Sequence, residues 1–308
     1  MKRLLPGIIL LLIFKTTISQ LQSSNQATAF PTNPRDAKFH TEDISTFWKV
    51  FDKYYPEISG GVLQQEYLDV GSIGVKGFIK NRIESGKNLS KEVRDKIKYY
   101  QWVRPFTVSI DEKKERLYEC FENLKKIYSP AVFPDVYFVI GADNTGGAIF
   151  DKGLIIGAER YGKANNEFKP ALDIESVDEV VAHELIHFQQ KYVKDNSLLA
   201  QSIREGSADF ICELIAGTHS NKEKYVYGDS HKKELWEEFQ SRMYKTDWTN
   251  WLYYNKDKSR EKDMGYWMGY QICKAYYDRM TDKQKAVSDM LNIEDFKKFF
   301  ETSGYNGE

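Results

Sequence analysis

The segment VDEVVAHELIHFQQKYV, Val177–Val193, constrains this chain more than any other stretch of its sequence. Val180, Val181, Leu185, Ile186, Phe188 and Tyr192 recur at the three- and four-residue spacing of a helix packed inside a protein. Ser176 followed three residues later by Glu179 has the form of a capping box, which would start the helix there. Two of the chain's five histidines, His183 and His187, then lie one turn apart on one face, roughly 5–6 Å between Cβ atoms. That separation lets two imidazoles reach one zinc ion. Glu184 projects to one side of them, where it can stand beside a metal without ligating it. The plainer alternative is a structural helix with two hydrogen-bonded surface histidines.

The metal reading requires more of the chain. Zinc prefers four ligands and a catalytic zinc keeps one position for water, so a third protein ligand is needed. Downstream stands NSLLAQSIREGSADFICELIAG, a second apolar-periodic helix with Gly217 as its natural stop. Glu205 lies far enough beyond His187 for a turn and a return on an antiparallel helix, and Asp209 follows one turn later on the same face. A carboxylate at Asp209 is placed to hold the distal nitrogen of a ligand histidine. Gly206 costs about 1 kcal/mol relative to alanine inside a helix, and close approach to the histidine helix is the expected reason for it. Taken singly, Glu205 and Asp209 also read as solvated helix charges. His219 and His231 are rival ligands in polar surroundings, and the longer HExxHxxGxxH pattern fails because Gln190 occupies its glycine position.

Around these two helices the period of the sequence changes twice. Ile44, Phe47, Trp48, Phe51 and Tyr55 form one stripe of a helix ended by Pro56. Further helices are expected around Val62–Val70 and Val75–Ile83, from Ser90 into KIKYYQWV, and over Glu112–Tyr128. After Pro130, PDVYFVIG, GGAIF and GLIIGAE are short β-branched and aromatic runs punctuated by glycine, which predict two or three strands. The expected fold class is α+β, mainly helical with one small mixed sheet. Residues 41–130 form its helical N-terminal region and residues 131–308 the core that carries the site.

The N-terminus reads differently. Lys2 and Arg3 precede an apolar run from Leu4 to Phe14, and KTTISQ follows, the layout of a secretory signal cleaved after Ser19. The run is too short to span a bilayer, where roughly twenty residues are needed. Residues 1–19 are therefore expected to be a signal peptide, and the polar, proline-bearing residues 20–40 a disordered lead-in. An exported protein follows, periplasmic, cell-surface or secreted, with no transmembrane segment after processing. Cys120, Cys212 and Cys273 are neither a disulfide framework nor a cysteine zinc module, and none stands near the cleavage site, so lipid attachment there is not supported. With 44 Lys and Arg against 45 acids there is no basic excess to hold a phosphate backbone, which argues against a nucleic-acid partner.

HELIH followed by EGSAD resembles the gluzincin class of zinc metallopeptidases, in which two histidines of HExxH and a glutamate on the next helix bind zinc. The resemblance implies a zincin-like helix pair, with His183, His187 and Glu205 as ligands of one Zn2+ per chain and Asp209 supporting a ligand histidine. More narrowly, FWKVFDKYY, VYFVIGADNTGG, GLIIGAE, HELIHFQQ, EGSADF and GYWMGYQI together are similar to a bacterial family of zinc-dependent proteases related to a gliding-motility lipoprotein. That likeness runs from about Asp43 to Met280. The chain departs from the pattern in lacking a lipobox cysteine.

The expected function is peptide-bond hydrolysis of a peptide or protein substrate, by a metal-bound water with Glu184 as general base. Tyr266, or Tyr270 one turn on, is the candidate donor to the oxyanion. An extended substrate would add to an edge strand within Gly146–Glu159, with Gly146 and Gly147 letting its backbone approach closely. The alternative is a catalytically inactive protein of the same fold acting as a cell-surface binding or assembly module, its exposed aromatics stacking on sugars or peptides.

Overall fold

In the computed structural model, which describes residues 30–308, the change of period after Pro130 marks the point where the chain enters its sheet. The expected signal peptide and the lead-in before residue 30 lie outside the described residues. Residues 34–40, expected as part of the disordered lead-in, are instead ordered. Asn33 caps a short turn, Pro34–Asp36, and strand β1 (Phe39–His40) follows. The reason is long-range: β1 pairs with a strand far along the chain, and Phe39 is buried edge-on to Tyr118 and Phe121.

The three glycine-punctuated runs form β2 (Asp135–Val139), β3 (Gly147–Phe150) and β4 (Gly153–Gly157). β1 and β4 lie parallel to β2 on either side, and β3 runs antiparallel to β4, so the order is β1-β2-β4-β3 and the sheet is mixed. β4 is buried throughout, whereas β3 is the edge and leaves Ile149 exposed. Within Gly146–Glu159 it is β3 that lies at an edge of the sheet, while β4 is interior. A further pair, β5 (Tyr161–Gly162) and β6 (Leu172–Asp173), stands apart from this sheet.

The N-terminal helices share the core of the sheet. Helix Glu42–Tyr54 buries Ile44, Phe47, Trp48 and Phe51 of the expected stripe, whereas Tyr55 lies past the helix end and is exposed. The runs expected near 62–70 and 75–83 each start as α-helix and finish as a π-turn, Gln64–Leu68 and Ile79–Ile83. The Tyr67 hydroxyl donates to the Ile140 carbonyl at 2.8 Å and accepts from the Ile140 N–H at 2.9 Å, and Tyr100 donates to the Gly141 carbonyl at 2.8 Å. Buried phenols therefore satisfy the backbone where β2 ends. The Glu159 carboxylate accepts from the N–H groups of Gly141 and Asp143 at 2.8 and 3.0 Å, and burial pushes its pKa up to about 7 against that pull. One apolar core runs from Ala37 to Tyr305.

Three helices build the site: the histidine helix Val177–Gln189, the glutamate helix Leu198–Ala216 and the glycine helix Met264–Arg279. The expected capping box is not formed. Ser176 donates instead to the Asp173 carbonyl, and Asp173 caps a short turn, Ile174–Ser176, that leads into the histidine helix. Gly217 ends the glutamate helix at φ +85°, as expected.

Gly206 corrects another expectation. A Cβ added there would lie 2.1 Å from the Gly269 carbonyl carbon and the Tyr270 nitrogen, so its reason is the glycine helix rather than the histidine helix. From the other side, a Cβ on Gly269 would lie 1.7 Å from the Ser202 carbonyl oxygen. The two backbones meet here with no room for a side chain between them. Among the described residues no helix is long and apolar enough to cross a membrane.

Candidate metal centre

The histidine and glutamate helices pack side by side, and the residues expected as ligands meet between them. His183 Nε2 and His187 Nε2 lie 2.9 Å apart, with Glu205 Oε2 at 3.1 Å from His187 Nε2 and 3.5 Å from His183 Nε2. Ligands about 2.05 Å from a tetrahedral zinc would stand about 3.3 Å from one another, and the three observed separations bracket that value. His183 and Glu205 are buried and His187 nearly so.

The hydrogen bonds behind the rings settle which nitrogens face inward. Asp209 Oδ1 accepts from His183 Nδ1 at 2.8 Å. Gln190 spends its amide N–H groups on the Arg204 carbonyl at 2.8 Å and the Ser207 hydroxyl at 3.0 Å, which turns its Oε1 to His187 Nδ1 at 2.9 Å. Each imidazole thereby donates from Nδ1, and the two Nε2 atoms face each other and the Glu205 carboxylate. Polar atoms that converge this closely are joined either by a proton shared among them or by a bound cation. Burial lowers the proton affinity of His183, yet the Asp209 and Glu205 carboxylates outweigh it and hold its pKa well above the usual histidine value. Burial likewise works against ionisation of Glu205, but His187 and His183 keep its pKa well below the ordinary range. The donor set fits a divalent metal of the zinc type.

Asp209 is fully buried and anchored further. Its Oδ2 accepts from Tyr225 at 2.6 Å and Asn221 at 2.9 Å. The spacing of the sequence does not point to Gln190, Asn221 or Tyr225 in these supporting roles. Only Gln190 carries a local signal, three residues beyond His187 at the end of its helix. Tyr253 was likewise missed in this role: its hydroxyl donates to Glu205 Oε1 at 2.5 Å. Burial and the charge of Glu205 raise that phenol's pKa, so it keeps its proton.

Glu184 supplies no atom to the ligand cluster and lies against the edge strand. A Cβ on Gly147 would lie 2.7 Å from Glu184 Cγ and 2.8 Å from its Oε1, so the absence of a side chain there makes room for the carboxylate. Burial raises the Glu184 pKa above the ordinary glutamate value, opposed by the charges of His187, His183 and Arg82. Gly146 lies one residue earlier, its carbonyl accepting from Tyr161 at 3.2 Å.

The two candidate tyrosines separate cleanly. The Tyr266 ring lies nearly parallel to that of His183, 6.2 Å away, whereas the Tyr270 hydroxyl donates to Glu213 at 2.7 Å. The rival histidines fall outside the cluster. His219 is buried against Tyr225 and Tyr270, 3.7 Å from Asp209, and His231 stacks on Tyr227. Of the aromatics that the binding-module alternative would use, Tyr99, Tyr100, Trp102, Trp248, Trp251, Tyr253 and Tyr254, only Tyr253 and Tyr254 are exposed, and Tyr100 and Trp251 are buried.

The family described as gliding motility protein GldB matches residues 32–307. No curated protein and no solved structure matches.

Proposed function

This chain belongs to the gliding motility protein GldB family, and from that premise and the ligand cluster we propose that it is a zinc-dependent peptidase of the cell envelope. The family is one of gliding-motility lipoproteins, which points to an exported, envelope-associated role. The peptidase reading is carried by one observation: donor atoms of His183, His187 and Glu205 all lie within 4.8 Å of one another, beside a glutamate that is not one of them.

His183, His187 and Glu205 would hold the ion, with Asp209 and Gln190 fixing the two rings. Zinc, when bound, supplies Lewis acidity, which acidifies water towards neutrality and polarises a carbonyl. Glu184 takes a proton from the attacking water and returns it to the leaving amine. Burial raises its pKa above the ordinary glutamate value, the direction that helps the carboxyl hold the proton between the two transfers. A substrate strand adds to the open edge of β3, whose Gly147 brings its backbone against Glu184. Tyr266, stacked on His183, is the donor for the developing oxyanion.

Hydrolysis of an unstructured protein, measured before and after chelation, tests this function. Activity is expected to vanish with the metal and to return on adding about one equivalent of zinc. Bound zinc without turnover on any peptide would instead favour an inactive assembly module of the envelope.

A further inference from the structure

Glu205 divides its two oxygens between different partners. Oε2 faces the two imidazoles, while Oε1 accepts a hydrogen bond of 2.5 Å from Tyr253. The phenol arrives there on an unusual backbone. Tyr253 has φ +61°, and the Tyr254 N–H donates across it to the Leu252 carbonyl at 2.6 Å, a tight turn over one residue that side chains disfavour. Its own N–H is held by Asp263 Oδ1 at 2.9 Å, and Asp263 and Asn250 also have positive φ, +63° and +67°. Of the five non-glycine residues with positive φ in the described chain, three therefore lie within this one segment.

Core packing does not require this conformation of Tyr253. Trp251 and Leu252 just before it are buried, but Tyr253 is 59% exposed and only its hydroxyl end enters the site. Sparsely populated backbone persists where its surroundings over-determine it, and it gathers at functional sites. Here it delivers one hydroxyl to one carboxylate oxygen.

We infer that Tyr253 is a positioning residue of the metal centre, holding Glu205 Oε1 aside so that the glutamate binds the ion through Oε2 alone. A carboxylate can ligate through one oxygen or two. Two-oxygen ligation would fill the position that a substrate or water needs, so the tyrosine keeps the centre open. This role rests on the metal reading above.

The test uses Co2+ in place of zinc, because its visible absorption falls in intensity as the coordination number rises. Tyr253→Phe removes the hydroxyl and keeps an exposed ring. Its absorption per bound cobalt is expected to fall clearly below that of the native protein. Asp263→Ala, which frees the Tyr253 backbone, should move the spectrum in the same direction. Tyr254→Phe, on the same turn, should leave it unchanged. Native absorption in both Tyr253→Phe and Asp263→Ala would overturn the positioning role and leave the metal centre standing. Equal cobalt binding by the native protein and His187→Ala, or none by either, would overturn the metal centre itself.

Discussion

Glu184→Gln is expected to lower peptide hydrolysis by about 10²–10⁴-fold while the zinc content stays at the native level. The substitution keeps the size and shape of the side chain but removes its ability to accept a proton. Glu184 contributes no atom to the ligand cluster and sits against Gly147 of the edge strand, so its loss should leave the ligands in place. Initial rates on an unstructured protein, with zinc measured on the same samples, separate the two effects. Unchanged turnover would remove Glu184 from the chemistry. Loss of zinc together with activity would assign it to the site's architecture.

The second large effect is on stability. Gly269→Ala is expected to destabilise the protein by about 4 kcal/mol or more, because the new methyl would meet the backbone of the glutamate helix with nowhere to move. That corresponds to a melting temperature lower by about 7 °C or more. Gly217→Ala is the contrast: the space is open but φ is +85°, so only the left-handed backbone is penalised, by about 1–2 kcal/mol. The first substitution should also weaken zinc binding, since Glu205 is carried on the helix that would be displaced; the second should not. Thermal melts and zinc titration of both variants check this ordering. Equal losses from the two would show that the glycine contact does not set the helix spacing.

Much of the centre was legible because its ligands obey local rules. One helical turn separates His183 from His187 and Glu205 from Asp209, and the Asp209 bond to His183 fits that spacing. The three main runs of the sheet were legible for the same reason, since glycine and β-branched residues mark them. What stayed hidden depends on pairing across the chain. β1 is two residues long and owes its order to β2, so its polar, proline-bearing flank gave no warning. Gly206 announced a close approach, but its spacing could not say that the partner is Gly269 rather than the histidine helix. Tyr253 carried no signal at all, because a left-handed tyrosine cannot be foreseen from its neighbours. The capping box failed locally: Asp173, just upstream, offered a competing cap.

Direct measurement of bound metal in the purified protein bears most closely on the convergence of His183, His187 and Glu205. About one zinc per chain is expected in the native protein, and essentially none in a folded His187→Ala variant, because two remaining donors cannot retain the ion. A native protein that takes up no zinc, or a variant that takes up as much, would contradict it.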